Sequence, residues 1–408
     1  MNFNNPGKSD STIVTRTVCA IVFMAFTFCW LYFFQADMLA VTQYVLSGGQ
    51  TAYDRTVGAV LITLTLQMTQ LAVYALTGLS KRFHAITYLP SLLLLALLTD
   101  ITPVASPPAL HLSTFWWWAA PLLLLLWIGV VRMARTFQPY EDDRTGWFLS
   151  RRVWVNLLTM SLLVLGVTLT ANTNAVMHFR AHAETAILQG DIDEALRVGQ
   201  NSHETDASLT MLRAYALSRK GELGHRLFHY PVAGTGTDLL PLSGNGTPGT
   251  QGRQPEQGQP PVGNHSALLL IPADTIFRHL GAKPRNGMDT RRYLRNLTVG
   301  GQATDAVADY VLCAHLIDRD LDAFAADITE YYSLADSTAE LPRHYREALV
   351  LYTHLRAHPR LVYHDTVMDE DYEDLQQLEA QYPELSARKN QVRERYHNSY
   401  WYYYEYSR

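Results

Sequence analysis

Histidine is the residue type best placed to do chemistry in this chain of 408 residues. Thirteen of the fifteen histidines lie after Asn172, and three pairs stand four apart: His178/His182, His225/His229 and His354/His358. On a helix that spacing puts two imidazoles on one face, as a zinc site requires. No pair reads His-Glu-x-x-His, and no third ligand has a fixed place nearby. They are expected to be solvated or capping histidines. Asp37 and Asp54 fall in one short segment between two apolar runs, where a carboxylate could act at a membrane surface. The run Asp369-Glu370-Asp371, with Glu373 and Asp374, has charge enough for calcium. It lacks the turn glycine and closing glutamate of a calcium loop, and it reads better as the acidic first turn of a helix. The sequence therefore assigns no catalytic residue, no metal ligand and no cofactor.

The elements that would hold these residues belong to two different solvents. Up to Asn172 the chain carries ten Lys/Arg and seven Asp/Glu among long apolar runs. From Thr173 it carries 23 basic and 31 acidic residues in ordinary globular proportions. An acidic second half lacks the positive field that a phosphate backbone needs, so nucleic acid is not an expected partner. Cys19, Cys29 and Cys313 show no paired spacing, which argues against a disulfide framework or a zinc ribbon.

Five runs are long and apolar enough to span a bilayer as helices: about 17–34, 56–79, 84–101, 115–131 and 153–171. The third and fourth are the shortest, and each contains a proline, Pro90 and Pro121. The first run is too long and too aromatic for a signal-peptide core, and it is read as a retained span. Nine basic residues, among them Lys8, Arg16, Lys81, Arg82 and Arg132, fall on one side, and the opposite loops hold only Arg55. Positive loops stay in the cytoplasm. The amino terminus is thus expected inside the cell (inner) membrane and residues 173–408 outside it, in the periplasm of a bacterium with two membranes. Trp116, Trp117 and Trp118 would sit at the outer interface, with Trp147 and Trp154 near the inner one. Gln67, Gln70 and Asn156 are the amides inside the spans, and amides there mostly bond helix to helix.

Residues 173–408 are patterned as helical hairpins. Ala186-Ile187-Leu188-Gln189 runs through Gly190-Asp191 into Ile192-Asp193-Glu194-Ala195-Leu196. Leu212-Arg213-Ala214-Tyr215-Ala216-Leu217 runs through Gly221-Glu222-Leu223 into Leu227-Phe228. A third copy, Leu316-Ile317-Asp318-Arg319-Asp320-Leu321-Asp322-Ala323-Phe324, aligns Asp320 with Asp191 and Leu321 with Ile192. Tyr230-Pro231, His358-Pro359 and Tyr382-Pro383 each close a helix. Hairpins of about 34 residues with small residues at the crossings resemble tetratricopeptide (TPR) repeats. The resemblance spans roughly 150 residues and is degenerate: the family's Trp and Gly-x-x-Tyr positions are not cleanly present. Around 318–332 and 341–352 the chain also resembles a family of uncharacterised bacterial multi-pass membrane proteins with the same layout.

Residues 233–264 contain eight glycines and five prolines, a composition expected to stay disordered as an insertion within the repeats. The aromatic end, Tyr400-Trp401-Tyr402-Tyr403-Tyr404-Glu405-Tyr406, suits a last helix that seals the stack. The fold class expected is all-α: a five-helix transmembrane bundle over 1–172 and a TPR-like helical domain over 173–408. The TPR resemblance implies a non-catalytic scaffold that binds a protein partner. The lipid bilayer is the other partner expected. Two other classes stay open. Some membrane glycosyltransferases that use lipid-linked donors place an essential acid in their first outer loop, where Asp37 and Asp54 stand. A transporter subunit would need buried charge in the spans.

Overall fold

The computed structural model describes residues 6–79, 81–105, 108–136, 151–241, 268–285, 288–301, 304–332 and 341–407. The chain divides into two compact units, Met1–Asn174 and Ala175–Arg408.

In the first unit, α1 (Pro6–Cys29) runs into a π turn at Trp30–Phe34 and is followed by α2 (Ala36–Ser47) and α3 (Arg55–Thr77). A 3₁₀ segment (Lys81–Tyr88) then leads into α4 (Leu89–Thr99). After a short hairpin come α5 (Trp116–Thr136) and α6 (Arg151–Thr170). Among the described residues, four helical stretches are long and apolar enough to cross a membrane: Ile13–Phe34, Arg55–Thr77, Trp116–Thr136 and Val153–Thr170. Their outer faces carry exposed apolar side chains such as Leu76 (81%), Trp117 (78%) and Leu169 (75%), a surface suited to lipid.

The third expected span differs from the other four, and Pro90 is the reason. Proline has no N–H to give the carbonyl of Ile86 four residues earlier, so a continuous α-helix is interrupted there. The chain before it winds as 3₁₀, and the Ile86 carbonyl accepts instead from Trp127 Nε1 on α5 at 3.0 Å. The amides singled out in the sequence do hold this element. Gln70 Nε2 donates to Thr87 Oγ1 at 2.8 Å, and Gln67 Nε2 to Gln70 Oε1 at 3.0 Å. From the other side Asn156 Oδ1 accepts from the Ala85 N–H at 2.7 Å. His84 is buried between the rings of Tyr74 and Tyr88.

Two connections are more ordered than expected. The first loop is mostly α2, and the third contains a two-stranded antiparallel hairpin, β1 (Thr102–Ala105) and β2 (Pro108–His111), with Thr102 paired to His111. Pro103 and Pro108 exclude a helix and favour extended backbone in the residues before them. This hairpin departs from the all-α expectation.

The second unit is a succession of short helices around one continuous core that reaches from Ala183 to Tyr406. These helices are α7 (Ala175–Gln189), α8 (Ile192–Arg197), α9 (Ala207–Lys220), α10 (Leu223–Arg226), α11 (Ala273–Leu280), α12 (Thr290–Val299), α13 (Asp305–Ile317), α14 (Leu321–Tyr331), α15 (Arg343–Leu355), α16 (Thr366–Gln381), α17 (Leu385–Tyr396) and α18 (Tyr400–Tyr406). The three aligned turns share one geometry. Asp191, Glu222 and Asp320 each return an N–H to a carbonyl five residues back, at 3.0, 2.9 and 2.9 Å. The preceding Gly190, Gly221 and Arg319 have φ of 84°, 69° and 58°. This is the Schellman stop, in which a left-handed residue satisfies the last carbonyls of the helix. Asp191 and Asp320 then cap the next helix through Glu194 N (2.9 Å) and Ala323 N (3.0 Å).

Residues 233–241, the start of the expected insertion, are folded. Thr235 and Asp238 form a capping box around a 3₁₀ turn, and Leu239 and Leu240 are buried. Gly236 lies so close to the Ala314 carbonyl that an added Cβ would stand 2.5 Å from its oxygen. The remainder, 242–264, lies outside the described residues. Just beyond, the fully buried Glu184 accepts the N–H groups of Leu269, Leu270 and Ile271 at 2.6–2.9 Å. That contact fastens the returning chain to α7.

Candidate functional site

The helix ends decide the fate of the histidine pairs. α15 stops at Leu355, so His354 and His358 do not share a helical face. α10 stops at Arg226, and His229 lies in a following 3₁₀ turn, which breaks the spacing from His225. Only His178 and His182 lie on one helix, and His182 Nε2 is 3.5 Å from Glu194. Among the described residues no group of three or more His, Cys, Asp or Glu is arranged to hold a metal.

The first-loop aspartates have local structural partners. Asp54 is the N-cap of α3, accepting from Val57 N at 2.7 Å, and Asp37 pairs with Arg55 at 3.3 Å. The acidic run lies in α16, whose N-cap is Asp365. Asp369 reaches back to the Asp365 N–H at 3.2 Å, so its first member completes a cap.

The aromatic end leads to a different place. In α18 the Tyr400 N–H donates to Glu347 Oε2 at 2.7 Å, and Trp401 Nε1 to the Glu347 carbonyl at 2.8 Å. The hydroxyls of Tyr400, Tyr403 and Tyr406 reach Leu316 O (3.2 Å), Ile317 O (2.9 Å) and Glu379 Oε1 (2.6 Å). Glu347 is 1% exposed and also accepts from Arg343 Nε (2.8 Å), with His344 Nδ1 at 2.9 Å. Burial pushes its carboxyl up, but His344, Arg343 and the Tyr400 N–H outweigh burial and hold it below the ordinary range. Arg319 closes the seal from below, donating to the carbonyls of Tyr403 (3.1 Å) and Ser407 (3.0 Å) with its guanidinium over the Tyr403 ring.

Between this seal and the first hairpins lies a cleft of about 790 Å³. One wall is residues 200–203 and 228–232, and the other is contributed by α17 and α18. Arg213 holds the first wall. It is 2% exposed, and it donates to the carbonyls of Gly199 (3.1 Å), Val198 (3.4 Å) and Pro231 (3.4 Å). Burial lowers its pKa to about 10, which leaves it charged at neutral pH. Lys389 holds the second wall, donating to the Tyr406 carbonyl at 2.8 Å. Arg393 reaches across the cleft to a ring nitrogen of His203. His229, on the first wall, is pushed down to about 4 by burial, reinforced by His344, Arg343 and Arg226.

Residues 274–407 match a family of unknown function, DUF6057. No curated protein and no solved structure matches the chain. The DUF6057 region includes the Glu347 seal, Arg319 and the α17–α18 wall, whereas residues 200–203, 228–232 and Arg213 precede it. Sequence reasoning identified the aromatic seal but missed the cleft. Arg213, a lone arginine inside the apolar run Leu212–Leu217, is the one signal that could have pointed to it.

Proposed function

We propose that the chain is a non-catalytic recognition component of the cytoplasmic membrane. A five-span bundle anchors it, and a TPR-like unit stands on the outer side with its cleft open to a partner. The cleft carries this reading: buried Arg213 fixes one wall, while Glu347, Arg319 and Lys389 fix the other, so a binding surface exists before any partner arrives. The three helix stops, which share one hydrogen-bond pattern, support the repeat assignment. The third expected span, the shorter apolar stretch Phe83–Thr99, is read as the fifth crossing, because a bilayer thins locally around a short span. Five crossings and the basic inner loops together put the repeat unit outside.

The tests are a reporter active only in the cytoplasm, fused after Arg408, and co-purification from crosslinked membranes with and without residues 175–408. The reading expects a silent reporter and recovery of a partner only with the full chain. An active reporter, or equal recovery without the second unit, refutes it. Because Asp37 and Asp54 are engaged in an ion pair and a cap, D37N/D54N is expected to leave recovery intact.

A further inference from the structure

We infer that the cleft takes a saccharide that carries a carboxylate; this rests on the recognition reading above. The cleft is concave and within the ~300–1,000 Å³ range of small-molecule sites, unlike the broad patch of a protein interface. Its lining is polar: the amides of Asn201 and Asn390 each offer donors and an acceptor, the bonding pattern that sugar hydroxyls need. An acyl chain or apolar peptide would strand those amides without partners.

Charge selects the anion. The unit has an excess of acidic residues, yet the cleft is lined by Lys389 and Arg393 with Glu394 as its one acidic side chain. The Lys389 ammonium has three donors and commits one to Tyr406 O; the Arg393 guanidinium commits one terminal nitrogen to His203, and its other N–H groups suit a carboxylate oxygen. Tyrosine rings supply flat faces beside these cations. Tyr402 stacks on Tyr406 with centroids 5.7 Å apart and planes 21° from parallel, and both line the cleft.

The experiment uses the full chain in lipid nanodiscs and titration calorimetry with three probes: trigalacturonate, maltotriose and triglutamate. Trigalacturonate is expected to bind at least about tenfold more tightly than the other two, with affinity falling as salt is raised. Arg393→Gln should weaken it about tenfold or more. Asn390→Asp, which adds a carboxylate at an exposed position, should weaken it similarly without disturbing the fold. Equal binding of maltotriose, or indifference to both substitutions, overturns the inference. If triglutamate alone binds, and R393Q abolishes that binding, the ligand class is wrong and the recognition reading stands. If no probe binds, the saccharide is wrong, and co-purification judges the recognition reading separately.

Discussion

Replacing Glu347 with glutamine keeps the volume of the side chain and removes its charge. The carboxylate lies at the junction of α15 and α18 and gathers Arg343, His344 and the Tyr400 N–H within 2.9 Å at 1% exposure. A glutamine offers one oxygen to these groups and turns an NH₂ toward the rest. At least one buried donor then loses its acceptor, at about 1–3 kcal/mol, and a buried charge interaction is lost as well. Breaking such a pair from one side costs about 3–5 kcal/mol in total. At roughly 2–4 °C per kcal/mol for a unit of this size, the melting temperature should fall by about 6–20 °C. Thermal unfolding of the full chain in detergent, followed by circular dichroism, measures the fall. Hydrogen exchange should show the amides of 400–406 losing protection before those of α9. A loss below about 1 kcal/mol, or uniform deprotection of the unit, would refute the idea that this carboxylate holds the seal.

Other substitutions probe the remaining fastenings. Glu184→Ala leaves the N–H groups of Leu269, Leu270 and Ile271 without their acceptor, for an expected loss of about 2–4 kcal/mol; hydrogen exchange at 269–271 should rise first, and unchanged exchange there would contradict the assignment. Arg319→Gly relieves about 1 kcal/mol of left-handed strain but removes both donations to α18, so a net destabilisation of about 1–2 kcal/mol is expected, whereas a more stable variant would show that the guanidinium contributes nothing. Protonation of His229 should loosen the unit, whereas Asp309 and Glu184, whose carboxyls burial pushes up, act in the opposite direction. His229 has a folded pKa of about 4 against 6.5 unfolded, so the unfolded chain binds more protons in that window, and stability falls as pH drops from about 6.5 toward 4. With its partial exposure discounted, the effect is roughly 1–2 kcal/mol. Glu347, held below its ordinary value, acts in the same direction at lower pH. His229→Gln should flatten the upper part of the pH–stability curve, and an unchanged curve would exclude His229 as its source.

What could be read from the sequence was what local chemistry decides. Gln67, Gln70 and Asn156 were legible as bonds between helices because an amide in hydrocarbon has few other uses. Asp191 and Asp320 were legible because an acidic residue just past a helix stop suits the positive start of the next helix. Pro90 marked a weak span, but Trp127 as the replacement donor for Ile86 was not foreseeable, since the two lie 41 residues apart. Arg319 in a left-handed turn was hidden because only the distant α18 makes an arginine worth its strain there. The cleft was the least legible feature. His203 and Arg393 face each other across 190 residues of sequence, and no pattern within either segment marks them as neighbours. The strands Thr102–Ala105 and Pro108–His111 leave no sequence signal, because four residues are too few to show an alternating pattern.

The recognition role of the cleft can be tested in living membranes with a photo-crosslinking residue at Asn390, inside the cleft, and at Leu385, which starts the same helix, is 67% exposed and does not line the cleft. Intact-mass measurement of the recovered chain should find an adduct at 390 that is absent at 385 and disappears with Arg393→Gln. Adducts of equal yield at both positions, or none at 390, would contradict the cleft as the site of recognition.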